Sequence, residues 1–116
     1  MAKPYLEGDG TQSRDFCFVD DVAEANMLAM RASKPLQGAA INVAGGSSVS
    51  LKDLAALIER VAGRELALER RPPRTGDVRA TRADTRKARR LIGFRAKTPL
   101  EAGIAKTVRW FRDMAT

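Results

Sequence analysis

Apolar positions along the chain fall into two kinds of run. Phe16-Cys17-Phe18-Val19 is short, unbroken and rich in β-formers, and it follows the turn-like Gly8-Asp9-Gly10. It predicts a buried strand. Ala39-Ala40-Ile41-Asn42-Val43-Ala44 predicts a second, closed by Gly45-Gly46. Between them Val22, Ala25, Met27, Leu28 and Met30 recur near a 3.6-residue period. They predict a helix capped by Asp20 or Asp21 and ended by Lys34-Pro35. Leu51, Leu54, Ala55, Leu57, Ile58 and Val61 make the stripe of a second helix. Ser50 would cap it, with Asp53 three residues on in a near capping box, and Gly63 would stop it.

Further on, Leu66 and Leu68 alternate with polar residues as in a half-exposed strand. The prolines and glycine between Arg70 and Asp77 predict a loop. Asp84 is placed to cap a short helix running through Ile92, with Gly93 at its end. Thr98-Pro99-Leu100-Glu101 is a strong helix start, and that helix should reach about Met114. The order strand, helix, strand, helix, strand, helix, helix predicts an α/β fold with parallel crossovers, two or three short strands and about four helices. Strands suited to burial on both faces belong in larger sheets. The missing neighbours would come from another region or from a second copy of the chain, because bare edges invite association.

Composition narrows the chemistry. The chain has 116 residues, no His, one Cys and one Tyr. That length suits one domain at most, and 44 % apolar residues is too many for full disorder. A lone thiol without His excludes a disulfide framework, the common zinc sites, and Ser-His or Cys-His catalysis. No apolar stretch is long enough to span a bilayer. The N-terminus lacks a signal-peptide core, so a cytoplasmic address is the default expectation.

The net charge of +7 is concentrated. Residues 64–97 hold 12 bases against 4 acids, a net +8, and the remainder is −1. Such a field suits a polyanion, either a nucleic acid, an acidic membrane surface or a nucleotide diphosphate, or else forms a solvated face. Fifteen of the 21 bases are Arg, whose planar fork grips phosphate at two points.

The blocks GDGTQSRDFCFVDDVAEANMLAM, INVAGG, SLKDLAALI, RPPRTGDVRATRADTRKARRLIGF and TPLEAGIAKTVRWFRD, in that order, carry a resemblance. Together they resemble the C-terminal third of the extended short-chain dehydrogenase/reductases, the NAD-dependent nucleotide-sugar epimerases and dehydratases. In appearance they are most similar to bacterial UDP-N-acetylglucosamine/UDP-glucose 4-epimerases. The resemblance implies that residues 1–116 form a nucleotide-sugar-binding region. It also implies an incomplete piece of that fold, lacking the N-terminal Rossmann half. NAD is the family's cofactor, but its glycine-rich βα turn has no counterpart here, since Gly45-Gly46-Ser47-Ser48 is a strand-to-helix loop. The family's catalytic Tyr with Lys four residues later is also missing: four residues after Tyr5 stands Asp9. The chain is therefore expected to bind no NAD and to catalyse nothing alone.

What remains is the grip on a UDP-sugar. The resemblance implies that Arg14, in Ser13-Arg14-Asp15-Phe16, contacts the diphosphate. By residue type alone, an Arg paired with Asp15 at a strand start explains it as well. Arg74-Thr75-Gly76-Asp77 matches the family's Arg-x-Gly-Asp, where the Arg makes a second phosphate contact and the acid accepts from a ribose hydroxyl. The same residues are also plain turn chemistry. Tyr5-Leu6-Glu7-Gly8 matches the strand lining the uracil slot, which brings in Tyr5 and Glu7, although Glu7 departs from the apolar or amide residue usual there.

Cys17 is expected as a small buried hydrophobe, Phe16 and Phe18 packed on opposite faces of the first strand, Asn42 bonded to backbone, and Trp110 and Phe111 as core or edge anchors. Arg86, Lys87, Arg89 and Arg90 are expected on a solvated face. Two other classes stay open. One is an interaction or oligomerising piece that pairs its open sheet edge with another copy or with a separate Rossmann half. The other is a basic nucleic-acid module, disfavoured because 64–97 lacks aromatic stacking platforms.

Overall fold

A computed structural model describes residues 3–116. Local capping chemistry sets the helices. The Ser50 hydroxyl accepts the Asp53 N–H at 3.1 Å and donates to the Asp53 carboxylate at 2.6 Å, so α2 (Leu51–Ala62) starts where the capping box places it. Gly63 ends it in the left-handed region at φ 67°. Helix α1 (Val19–Met30) starts without a side-chain cap, after Phe18. Asp20 and Asp21 lie inside its first turn, where carboxylates favour the positive end of the helix dipole, and the helix ends before Lys34-Pro35. Helix α3 (Arg86–Ile92) follows Thr85 and ends at Gly93. Asp84 stays outside the helix, accepting the Arg86 N–H at 3.0 Å. Helix α4 (Leu100–Met114) follows Pro99, one residue later than expected. The Thr98 hydroxyl, read as its cap, instead bonds to Asp21.

The strands depart further from expectation. Four are present, each two or three residues long: β1 (Tyr5–Glu7), β2 (Ser13–Arg14), β3 (Val49–Ser50) and β4 (Glu69–Arg71). β1 and β4 pair in parallel, whereas β2 and β3 pair antiparallel, so only one pair is of the expected kind. A parallel bridge joins Ser13 to Ala80. β4 begins just beyond Leu66–Leu68, runs into the start of the stretch read as a loop, and is exposed along its length. Neither predicted buried strand forms. Phe16–Phe18 and Ala39–Ala44 join no ladder among the described residues. A β-prone sequence becomes a strand only where a neighbour offers backbone groups, and none does so here.

The core is small. Ala25 of α1 and Ala88 and Ile92 of α3 close on Phe94, with Ile41 and Val43 packed against them. Phe94 is the one large side chain fully buried among the described residues. The second contact layer is α2 against α4, tied by Arg60 to Glu101 at 2.9 Å and by Arg112, which donates to the Ala62 carbonyl at 2.6 Å. The chain forms a slab 50 × 38 × 20 Å with a radius of gyration of 16.8 Å. A fully compact chain of this length would have about 13 Å. Phe16, Val19, Met30, Trp110, Phe111 and Met114 are exposed, so Phe16 is not packed as expected, and of the core or edge places open to Trp110 and Phe111 they do not take the core one. Cys17 is only half-buried, though burial still pushes its thiol pKa up.

Candidate functional site

The short β1–β4 pair builds one rim of a cavity of about 550 Å³. Gly8 continues the ladder, donating its N–H to the Arg71 carbonyl at 2.9 Å, then turns away at φ 79°. The Gln12 side chain, nearly buried, donates to the Glu7 carbonyl at 2.7 Å and fixes the end of β1. Asp9 accepts the Thr11 N–H at 2.9 Å and its hydroxyl at 2.6 Å, which lowers the Asp9 pKa and closes the turn. Across the cavity, Pro73 to Val78 supply the other wall, with Gly76 at φ 80°.

Four of the five site residues proposed from the sequence converge here. Arg14 Nη2 meets Asp77 Oδ1 at 2.6 Å across 63 positions of sequence, and its Nη1 donates to the Ser13 carbonyl at 2.7 Å. Arg74 Nε stands 3.3 Å from Glu7 Oε2. Glu7, Arg74 and Asp77 line the cavity, and Arg14 adjoins it through Asp77. Tyr5 is set apart: its ring lies under the Arg71 guanidinium, 3.8 Å from the centroid, and outside the cavity lining. Gln12 was not singled out from the sequence, because a lone Gln in a loop carries no pattern.

Asp15, the alternative partner for Arg14, is engaged elsewhere. Its carboxylate accepts the Gly46 N–H at 3.1 and 3.2 Å and the Ala83 N–H at 3.4 Å. It thereby ties the loop after Val43 to the segment before α3. Asn42 Nδ2 donates to the Asp84 carbonyl at 3.4 Å, the backbone bond expected of it.

The arrangement offers two guanidiniums, each held in place by an acid, beside a carboxylate able to accept from a diol. The sequence has no dinucleotide-binding glycine turn and no Tyr with Lys four residues later.

Residues 1–107 match the GDP-mannose 4,6 dehydratase family. The chain is 40 % identical to a UDP-glucose 4-epimerase of Mycolicibacterium smegmatis over 107 residues, 91 % of this chain and 33 % of that protein. Among solved structures, the Thermotoga maritima UDP-glucose 4-epimerase with UDP-glucose superposes with a TM-score of 0.88 at 33 % identity. The match covers 98 % of this chain and 36 % of that one. The Bacillus cereus UDP-glucuronic acid 4-epimerase, in complex with UDP-glucuronic acid and NAD, gives 0.89 at 27 % identity, over 97 % and 36 %. The chain thus spans about a third of the length of the curated relatives it matches. With the family match running through 107 consecutive residues and the α/β elements superposing on the C-terminal part of these extended short-chain dehydrogenase/reductase folds, the chain belongs to the GDP-mannose 4,6 dehydratase family.

Proposed function

We propose that this chain is the nucleotide-sugar-binding portion of an NAD-dependent epimerase or dehydratase, and that its ligand is a UDP-sugar. The observation that carries the reading is the meeting of two distant segments: Arg74 and Asp77, from one loop, line a cavity that Arg14 adjoins through its 2.6 Å pair with Asp77. A UDP-sugar carries two phosphate charges. Arg14 and Arg74 are the donors for them, each retaining N–H groups beyond those committed to Asp77, Ser13 and Glu7. Asp77 accepts from the ribose, and β1 borders the uracil through Glu7, with Tyr5 behind it against Arg71. Binding then requires the diphosphate to share the guanidiniums with their present acids. NAD in the complete enzyme supplies the hydride acceptor. The Tyr/Lys pair and the dinucleotide turn belong to the part of the fold outside this chain, so the chain alone turns over no substrate.

Isothermal calorimetry with UDP and UDP-glucose tests the reading. Saturable heat is expected, weakened roughly tenfold or more in Arg14→Ala with Arg74→Ala. No heat at millimolar UDP, or equal binding by that variant, overturns it.

A second reading concerns assembly. Phe16, Val19, Trp110 and Phe111 are exposed beside the unladdered Phe16–Phe18 segment. This supports pairing with a separate Rossmann half or with a second copy of the chain.

A further inference from the structure

Four of the bases of residues 64–97 are exposed yet gathered round one concavity. Arg82, Arg86, Arg89 and Arg95 stand around a second cavity, of about 690 Å³, which shares no residue with the Arg14–Arg74 site. Ala44, Phe94 and Ala96 are the larger apolar part of its lining. One wall is the Gly45-Gly46 loop, clamped from behind by Asp15 and from the front by Arg82, whose Nε donates to the Gly46 carbonyl at 3.2 Å. The one acid in the lining, Asp84, is already taken: Arg86 Nε donates to its Oδ1 at 3.0 Å and Nη2 to its Oδ2 at 2.6 Å. Arg89 and Arg95 have no ion pair and no side-chain hydrogen bond among the described residues. The lining therefore carries four guanidiniums against one carboxylate, a net +3.

We propose that this cavity binds a compact phosphate ester or polyphosphate carrying at least two negative charges, at a site separate from the one assigned to the UDP-sugar. Arg86 and Arg89 lie three apart on α3, so their side chains leave the same face of the helix. Like charges gathered round one concave surface focus the local field and gain most from a multivalent anion. Guanidinium forks match phosphate oxygens two at a time. The volume is that of small-molecule sites, within roughly 300–1,000 Å³. A nucleic-acid strand fits less well, because the only aromatic in the lining, Phe94, is buried and offers no stacking face.

The test is calorimetric titration of the full chain with tripolyphosphate at low and at physiological salt. Arg89→Gln with Arg95→Gln should weaken a one-equivalent component of the binding about tenfold or more. Arg64→Gln with Arg109→Gln removes the same formal charge outside the cavity and should leave that component in place. Arg89→Lys with Arg95→Lys keeps the charge and loses the fork, and should fall between the two. The proposal is overturned if tripolyphosphate gives no saturable binding, if the outside pair weakens it equally, or if only oligonucleotides bind.

Discussion

The Asp21 carboxylate, 3 % exposed at the start of α1, accepts the Thr98 N–H at 3.0 Å, the Thr98 hydroxyl at 3.2 Å and the Lys97 N–H at 3.3 Å. One side chain thus ties the entry of α1 to the entry of α4 across 77 positions. Asp21→Ala leaves these donors without a protein partner. Unfolding in urea should show a loss of about 2 kcal/mol. Asp21→Asn keeps one accepting oxygen and should lose about half as much. A loss below about 0.5 kcal/mol for the alanine variant would show that water replaces the carboxylate there.

Gly45 lies flat against the backbone of Phe16. A Cβ built on it falls 2.5 Å from the Phe16 carbonyl oxygen. Backbone gives little, so Gly45→Ala should cost about 2 kcal/mol. Gly103 makes the useful contrast. Its Cβ would meet only the Phe18 side chain, at 3.1–3.3 Å, and a ring can turn aside. Alanine also favours the helix interior by roughly 0.5–1 kcal/mol over glycine. Gly103→Ala should therefore leave the urea midpoint nearly unchanged while Gly45→Ala lowers it.

The parts of this fold legible in the sequence are those set by neighbours along the chain. Ser50 and Asp53 are three apart, Gly63 follows its stripe directly, and α2 begins and ends on those residues. Strands depend on a partner elsewhere. Phe16–Phe18 and Ala39–Ala44 have the composition of strands and no ladder, while the polar Glu69–Arg71 becomes one because β1 lies beside it in register. The site divides in the same way. Arg14, Arg74 and Asp77 stand out by motif, yet the 2.6 Å pairing of Arg14 with Asp77 rather than with adjacent Asp15 depends on how distant segments cross. The gathering of Arg82, Arg86, Arg89 and Arg95 round one cavity was equally hidden, since the spacing of Arg86 and Arg89 describes a solvated helix face and Arg82 and Arg95 lie outside α3.

Asp84 and Arg86 give the chain an acid-sensitive contact. The hydrogen bonds from the Arg86 side chain and N–H hold the Asp84 carboxyl down at about 2, against an ordinary 3.8. A pKa lower in the folded than in the unfolded chain stabilises above the unfolded value, and that contribution fades as pH falls through the folded one. The stabilisation is thus complete above about pH 4 and lost toward pH 2. Because the pair is exposed, the effect should be small. Comparing urea midpoints at pH 4.5 and pH 2.5, Asp84→Asn should show a smaller drop than the wild type. Equal drops would remove Asp84 as a contributor.

Trp110 is the only tryptophan, 56 % exposed, with Phe111 edge-on at 4.9 Å. It borders a shallow apolar gap with Cys17, Phe18 and Val19, next to the segment that lacks a ladder partner. Its emission should be that of a hydrated indole when the chain is dilute. If a second copy covers this face, the emission moves to shorter wavelength as concentration rises, in step with a doubling of the mass seen by light scattering. Trp110→Ala with Phe111→Ala should abolish the doubling, because aromatic anchors dominate such contacts, while leaving far-ultraviolet circular dichroism intact. A chain that stays monomeric at high concentration leaves the exposed face to a separate α/β half. Adding the corresponding N-terminal part of a relative should then produce the same blue shift at a fixed concentration of this chain. A red, concentration-independent emission in both experiments would show that neither partner covers Trp110.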